Sequence, residues 1–160
     1  MSNTLTVTTP SNLEIVLTRE FDAPRALLFD VLSKPEHVPH WWGQAGSTLT
    51  HCEMDFRPGG RWRFVERDKN GQESGFRGEI REIVPNERIV QTFEWEGLPG
   101  HISVETLQLE DLGGRTRITV TSVFDSVEDR DGMLQSGMEQ GAAELYDRLE
   151  AYVKTLVMHR

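Results

Sequence analysis

Gly137-Met138-Glu139-Gln140-Gly141-Ala142-Ala143-Glu144-Leu145-Tyr146-Asp147-Arg148-Leu149-Glu150-Ala151-Tyr152 is the stretch that decides the architecture. Extended by Leu134 on one side and Leu156 on the other, it places Leu134, Met138, Gly141, Leu145, Leu149, Tyr152 and Leu156 at steps of three and four. That is the spacing of one helix face. The pattern predicts a single long C-terminal helix, starting at Asp129 or Asp131. Gly137 and Gly141 stand four apart on its apolar stripe, and each costs about 1 kcal/mol against alanine in a helix interior. Close packing on a second layer, or room for a ligand, has to offset that cost.

The second layer is legible upstream. Leu13–Phe21 alternates as a first strand, and Asp22 or Ala23 caps a helix running from Pro24 to about Leu32. Ser33-Lys34-Pro35-Glu36 has the form of a capping box opening a second short helix that stops near Pro39. Six further strands are predicted at Ser47–Phe56, Arg61–Arg67, Gly75–Val84, Arg88–Glu96, Ile102–Glu110 and Thr116–Phe124. Pro58-Gly59-Gly60, Asn70-Gly71, Pro85-Asn86, Gly97-Leu98-Pro99-Gly100 and Gly113-Gly114 punctuate them as short turns, which implies an antiparallel meander. A single sheet and one amphipathic helix can bury their apolar faces only against each other. The expected fold is therefore α+β of the helix-grip kind, in the order β-αα-β6-α, with a curved antiparallel sheet wrapped around the last helix. Residues 1–12 are expected to be a frayed tail and 13–158 one domain.

Composition narrows the function. Seventeen basic against 26 acidic residues give a net charge of −9, which opposes nucleic-acid binding. Eight acids and two arginines lie between Asp125 and Glu150, a solvated helix face before it is a docking surface. No apolar run reaches the roughly 20 residues of a membrane span. The polar start carries no secretory pattern, and a lone cysteine, Cys52, suits a reducing compartment, so the cytoplasm is the expected location.

Several strings resemble the START and birch-pollen-allergen-like superfamily (SRPBCC), and within it the branch named after the C-terminal domain of the activator of Hsp-90 ATPase. They are Arg19-Glu20-Phe21-Asp22-Ala23-Pro24-Arg25, Pro35-Glu36-His37 with Trp41-Trp42-Gly43, and Phe56-Arg57-Pro58-Gly59-Gly60-Arg61-Trp62. Gly78-Glu79-Ile80-Arg81-Glu82-Ile83-Val84-Pro85-Asn86-Glu87-Arg88-Ile89 and Glu139-Gln140-Gly141 follow in order. The resemblance spans about residues 13–156 and implies a cavity between the concave sheet and the last helix. It does not imply catalysis. Where many relatives carry Gly-Trp-Glu-Gln-Gly, this chain has Met138, and the exchange implies a roomier or more adaptable interior.

Candidate chemistry is sparse. His37 and His40 are three apart, but Pro39 breaks the helix that would align them, and no acidic or cysteine partner sits at zinc spacing, so no metal site is expected. His51 and Cys52 are adjacent and face opposite sides of a strand. Arg61, Arg63 and Arg67 share one strand face, opposite Trp62, Phe64 and Glu66, as on a solvated outer surface. The informative set is aromatic: Trp41, Trp42, Phe56, Trp62, Phe64, Phe76, Phe93 and Trp95. Most of it is core. A minority lining a cavity, with His101, Glu105 or Arg77 for polar contacts and Gly137, Met138, Gly141 and Leu145 from the helix, would make a ligand site. The expected function is binding of a small, mainly hydrophobic molecule, with no catalytic residue and no cofactor. A cyclase- or hydratase-like enzyme acting on a polyketide-like or steroid-like substrate, and a chaperone-associated interaction module, stand as alternatives. A homodimer stays open.

Overall fold

In the computed structural model, which describes residues 4–158, the alternating segments pair into one open antiparallel sheet. Strands β1 (Thr6–Thr8) and β2 (Glu14–Phe21) precede helix α1 (Arg25–Ser33). The meander follows as β3 (Thr48–Met54), β4 (Arg61–Arg67), β5 (Glu73–Val84), β6 (Arg88–Trp95), β7 (Ile102–Asp111) and β8 (Thr116–Val123). Helices α2 (Val127–Gln135) and α3 (Met138–Met158) end the described chain. The spatial order is β1-β2-β8-β7-β6-β5-β4-β3, so β2 closes onto the last strand, in register from Glu14↔Val123 to Phe21↔Thr116. The helix-grip α+β architecture is thus present. Irregular register between Leu49 and His51 and between Ile80 and Glu82 adds the local twist that curves a sheet.

Alternation puts one face of every long strand under the helices. Phe21, Trp62, Phe64, Ile80, Leu109, Ile118 and Val120 from the sheet meet Leu28 and Val31 of α1 and Tyr146, Leu149 and Val153 of α3 in one buried cluster. Arg61, Arg63 and Arg67 point the other way and are exposed, and Arg63 pairs with Glu96 at 2.7 Å.

Four expectations change. Within the span read as a tail, Thr6–Thr8 pairs antiparallel with Val16–Thr18 as an edge strand, while residues 1–3 lie outside the described residues. Helix α1 starts after Pro24 with no side-chain cap, so neither Asp22 nor Ala23 caps it. The Ser33 hydroxyl donates back to the Asp30 carbonyl, and the chain beyond makes only a 3-10 turn at Val38–His40, because Pro35 and Pro39 withhold amide donors.

The C-terminal stripe is also two helices. Ser126 caps α2 by accepting from the Asp129 amide, and the chain then breaks at Ser136–Gly137, with Gly137 at φ +83°. Gly137 is therefore a left-handed helix terminator and not one half of a notch with Gly141. Gly137→Ala is expected to cost about 1–2 kcal/mol through backbone strain. Gly141→Ala, inside α3 with only the Gln44 side-chain end 3.2 Å from the new Cβ, is expected to be neutral or stabilising by up to about 1 kcal/mol. Urea denaturation of both variants checks the contrast.

Candidate functional site

The concave face can be read strand by strand from the pairing. Trp62 and Phe64 of β4, Phe76 and Gly78 of β5, Phe93 of β6 and the loop residue Trp42 form its aromatic end. Trp42 sets its ring against Phe64 at 4.9 Å and Phe76 at 5.8 Å, and Phe76 lies 5.7 Å from Phe93. Gly78 is required here, since a Cβ would fall 2.5 Å from Trp62 Nε1 and closer still to the Thr92 carbonyl oxygen. The Trp42 loop is fixed to α3, whose Arg148 donates to the carbonyls of Trp42 (2.8 Å) and Gln44 (3.1 Å), while Glu144 accepts from the Ala45 amide (2.9 Å).

Burial sorts the set. Trp62 and Phe64 are buried, but Trp42, Phe76, Phe93, Leu107, Leu17 and Leu145 keep partly exposed surface although they pack against the core cluster. Partly accessible apolar surface is thus left on the sheet face beneath the helices. The indole N–H groups of Trp42 and Trp62 are buried there without an acceptor among the described residues. Two surface clefts, of about 470 Å³ beside Glu53, Asp55, Arg57 and Arg61 and about 360 Å³ beside Arg25, Glu87, Arg88 and Glu110, include none of these aromatic residues.

Other candidates lie elsewhere. Trp41 is core, with its Nε1 donating to the Val31 carbonyl at 3.2 Å. Phe56 packs edge-on against Phe29 of α1. Trp95 is the exception, since it is the cross-strand partner of Phe76 at the end of β6, but it turns against Gly97 and is 44% exposed. His101 is exposed and pairs with Asp129 at 2.7 Å, joining the β6–β7 turn to α2. Arg77 pairs with Glu94 at 3.0 Å. Met138 opens α3 half-buried, apart from the apolar side chains packed on the core, and Gly141 faces Gln44. His37 and His40 bracket Tyr152: His37 Nδ1 is 2.6 Å from its hydroxyl and His40 stacks on its ring at 4.7 Å. Among the described residues no three His, Cys, Asp or Glu side chains gather as metal ligands.

The pairing also brings together polar groups that the sequence pattern does not single out as a set. Gln91, Glu105 and Ser122 are direct cross-strand partners on β6, β7 and β8, in one row on the concave face. Gln91 Nε2 donates to Glu105 Oε1 at 3.2 Å. Burial pushes the Glu105 carboxyl above the usual carboxylate range, with the Gln91 bond opposing the shift. Burial, and secondarily the Glu105 carboxylate, push the Tyr146 phenol above its ordinary value, while Arg19 pulls it down. Arg19, buried on β2, donates to the Tyr146 carbonyl and pairs with Asp147 at 3.3 Å. Its signal in the sequence is its place in the 15-17-19-21 alternation, where an arginine shares the register of Ile15, Leu17 and Phe21.

The family profile described as Activator of Hsp90 ATPase homolog 1-like protein matches residues 22–154. Among solved structures, a Rhodobacter sphaeroides protein superposes with a TM-score of 0.88 at 24% identity, covering 95% of this chain and 99% of that one. A Nitrosomonas europaea protein gives 0.84 at 22% identity over 94% and 99%. The AHSA1 protein of Silicibacter pomeroyi gives 0.74 at 22% over 89% and 98%. These likenesses carry the fold. Among curated proteins no sequence matches significantly.

A carboxyl whose folded-state pKa exceeds its unfolded value holds its proton more tightly when folded, so Glu105 weakens the fold as pH rises through the ordinary carboxylate range. Glu105→Gln is therefore expected to raise Tm at pH 7 by about 2–4 °C, the response of a domain this size to about 1 kcal/mol. The gain should vanish below about pH 4, where the carboxyl is protonated in both states. Thermal melts of both proteins across that range check it.

Proposed function

The chain belongs to the activator of Hsp90 ATPase homolog 1-like family, and we propose that it binds a small, mainly apolar molecule in the groove between its sheet and α3. One observation carries the reading: Phe76, Phe93, Leu107 and Leu145 pack against the core between sheet and helices and still keep accessible surface. Apolar surface left open inside a fold is a latent source of binding energy. A ligand that removes about 300 Å² of apolar area from water gains about 7 kcal/mol before the cost of association. A few inward polar groups in a largely apolar lining are what orient such a ligand.

The enzymatic alternative needs a proton donor and acceptor of matched strength. The groove brings a carboxyl and a phenol whose neutral forms are both favoured. The four described histidines stand elsewhere, against Tyr152, Glu53 and Asp129. Binding without turnover is the simpler account of that chemistry.

Nile red, a neutral apolar fluorophore, is expected to bind saturably with a Kd of about 1–10 μM, equivalent to about 7–8 kcal/mol. Leu145→Trp, which adds bulk beneath the helix, should weaken it about tenfold or more. Met138→Trp, at the first turn of α3, should change it by less than about twofold. Fluorescence titration with parallel melts checks both, and non-saturable uptake by the parent protein would remove the groove reading.

A further inference from the structure

The groove is not uniformly apolar, and its polar groups are not scattered. Along β6, β7 and β8 the inward row Ile89–Leu107–Val120 continues to Leu17 on β2 and is apolar throughout. The row beside it is Gln91–Glu105–Ser122, flanked by Ile80 on β5 and Ile15 on β2. All three polar side chains remain partly accessible. Among the described residues the Glu105 carboxyl accepts a hydrogen bond from Gln91 at Oε1. An ionised carboxylate can accept about four, so it keeps acceptor capacity for a ligand. The Tyr146 phenol, near enough to feel the Glu105 charge, stands across from the row on α3.

Resting on the groove reading, we propose that the Gln91–Glu105–Ser122 row is a head-group subsite. Through it the groove selects apolar molecules that carry a hydrogen-bond-donating group, a hydroxyl or an ammonium, over the bare hydrocarbon. The Glu105 oxygen accepts from that group, the Gln91 carbonyl oxygen and Ser122 hydroxyl supply further acceptors, and the apolar row with the Phe76–Phe93 pair holds the body. A carboxylate head group has no hydrogen to donate, and two carboxyl groups at one site resist ionising together, so it is disfavoured.

A matched series tests this: butylbenzene, 4-phenylbutan-1-ol, 4-phenylbutylamine and 4-phenylbutyrate, measured by isothermal titration calorimetry on the full chain. The alcohol and the amine are expected to bind at least about tenfold tighter than butylbenzene, and the carboxylate more weakly than either. In Glu105→Ala the preference for alcohol and amine over butylbenzene should fall to about one. In Glu105→Gln, which keeps the shape and an acceptor, the alcohol preference should survive and the amine preference fall about tenfold; this second variant also reads the site if alanine does not fold. Butylbenzene binding as well as its alcohol and amine, or a preference that persists in Glu105→Ala, overturns the subsite and leaves the groove reading standing. Failure of every member to bind overturns both.

Discussion

Arg19 sits on a strand register otherwise occupied by Ile15, Leu17 and Phe21, and its guanidinium is only 5% exposed. Leaving such a charge beneath a helix without partners would cost several kcal/mol. It instead donates to the Tyr146 carbonyl in the body of α3, pairs with Asp147, lies 4.0 Å from Glu150 and rests over the Phe21 ring at 4.8 Å. A mid-helix carbonyl already accepts from the helix itself, so the guanidinium uses its second lone pair and leaves the helix intact. The contact fixes the height and rotation of α3 above β2. On the far side of the helix, Arg148 does the corresponding work on the Trp42 loop. Two arginines, one on each flank, hold α3 over the sheet where Tyr146, Leu149 and Val153 pack.

Most of the fold was readable because its signals are local. Strands of seven to twelve residues with period-two alternation, separated by glycine-bearing turns, have few alternative readings, and the meander from β3 to β8 follows from them. The misreadings occur where local signals are short or ambiguous. Thr6–Thr8 is a strand only because β2 offers it an edge, and three residues cannot display a period. The apolar steps run from Leu134 to Leu156 without interruption, so periodicity alone does not reveal the break at Gly137. A glycine flanked by serine is a recognised place for a helix to stop, and that signal was outweighed by the stripe.

The candidate site was readable as a composition but not as a partition. Trp41 and Trp42 are neighbours in sequence, yet one ties its indole N–H to α1 and the other sets its ring on Phe64 of the sheet. No sequence pattern separates two adjacent tryptophans between a 3-10 turn and a glycine at φ +96°. Phe56 belongs to the aromatic count but falls beyond the end of β3, and Trp95 ends β6 opposite Phe76, where its ring is largely open to solvent. The polar row is harder still. Gln91, Glu105 and Ser122 are each unremarkable in isolation and separated by more than a dozen residues. Only the register of three strands, one of them following a bulge, makes them a set.

That row also bears on the chemistry open to the proposed groove. Glu105 and Tyr146 each have their neutral form stabilised, chiefly by burial, and the Glu105 carboxylate makes ionisation of the phenol harder still. Two weak acids raised in the same direction cannot act as a matched donor and acceptor, which requires environments that pull their pKa values apart. Such a pair is instead well suited to hydrogen bonding without proton transfer, the phenol as donor and the carboxyl oxygens as acceptors. A ligand donor placed on Glu105 would stabilise its ionised form and lower its pKa, so occupancy and deprotonation must be linked reciprocally.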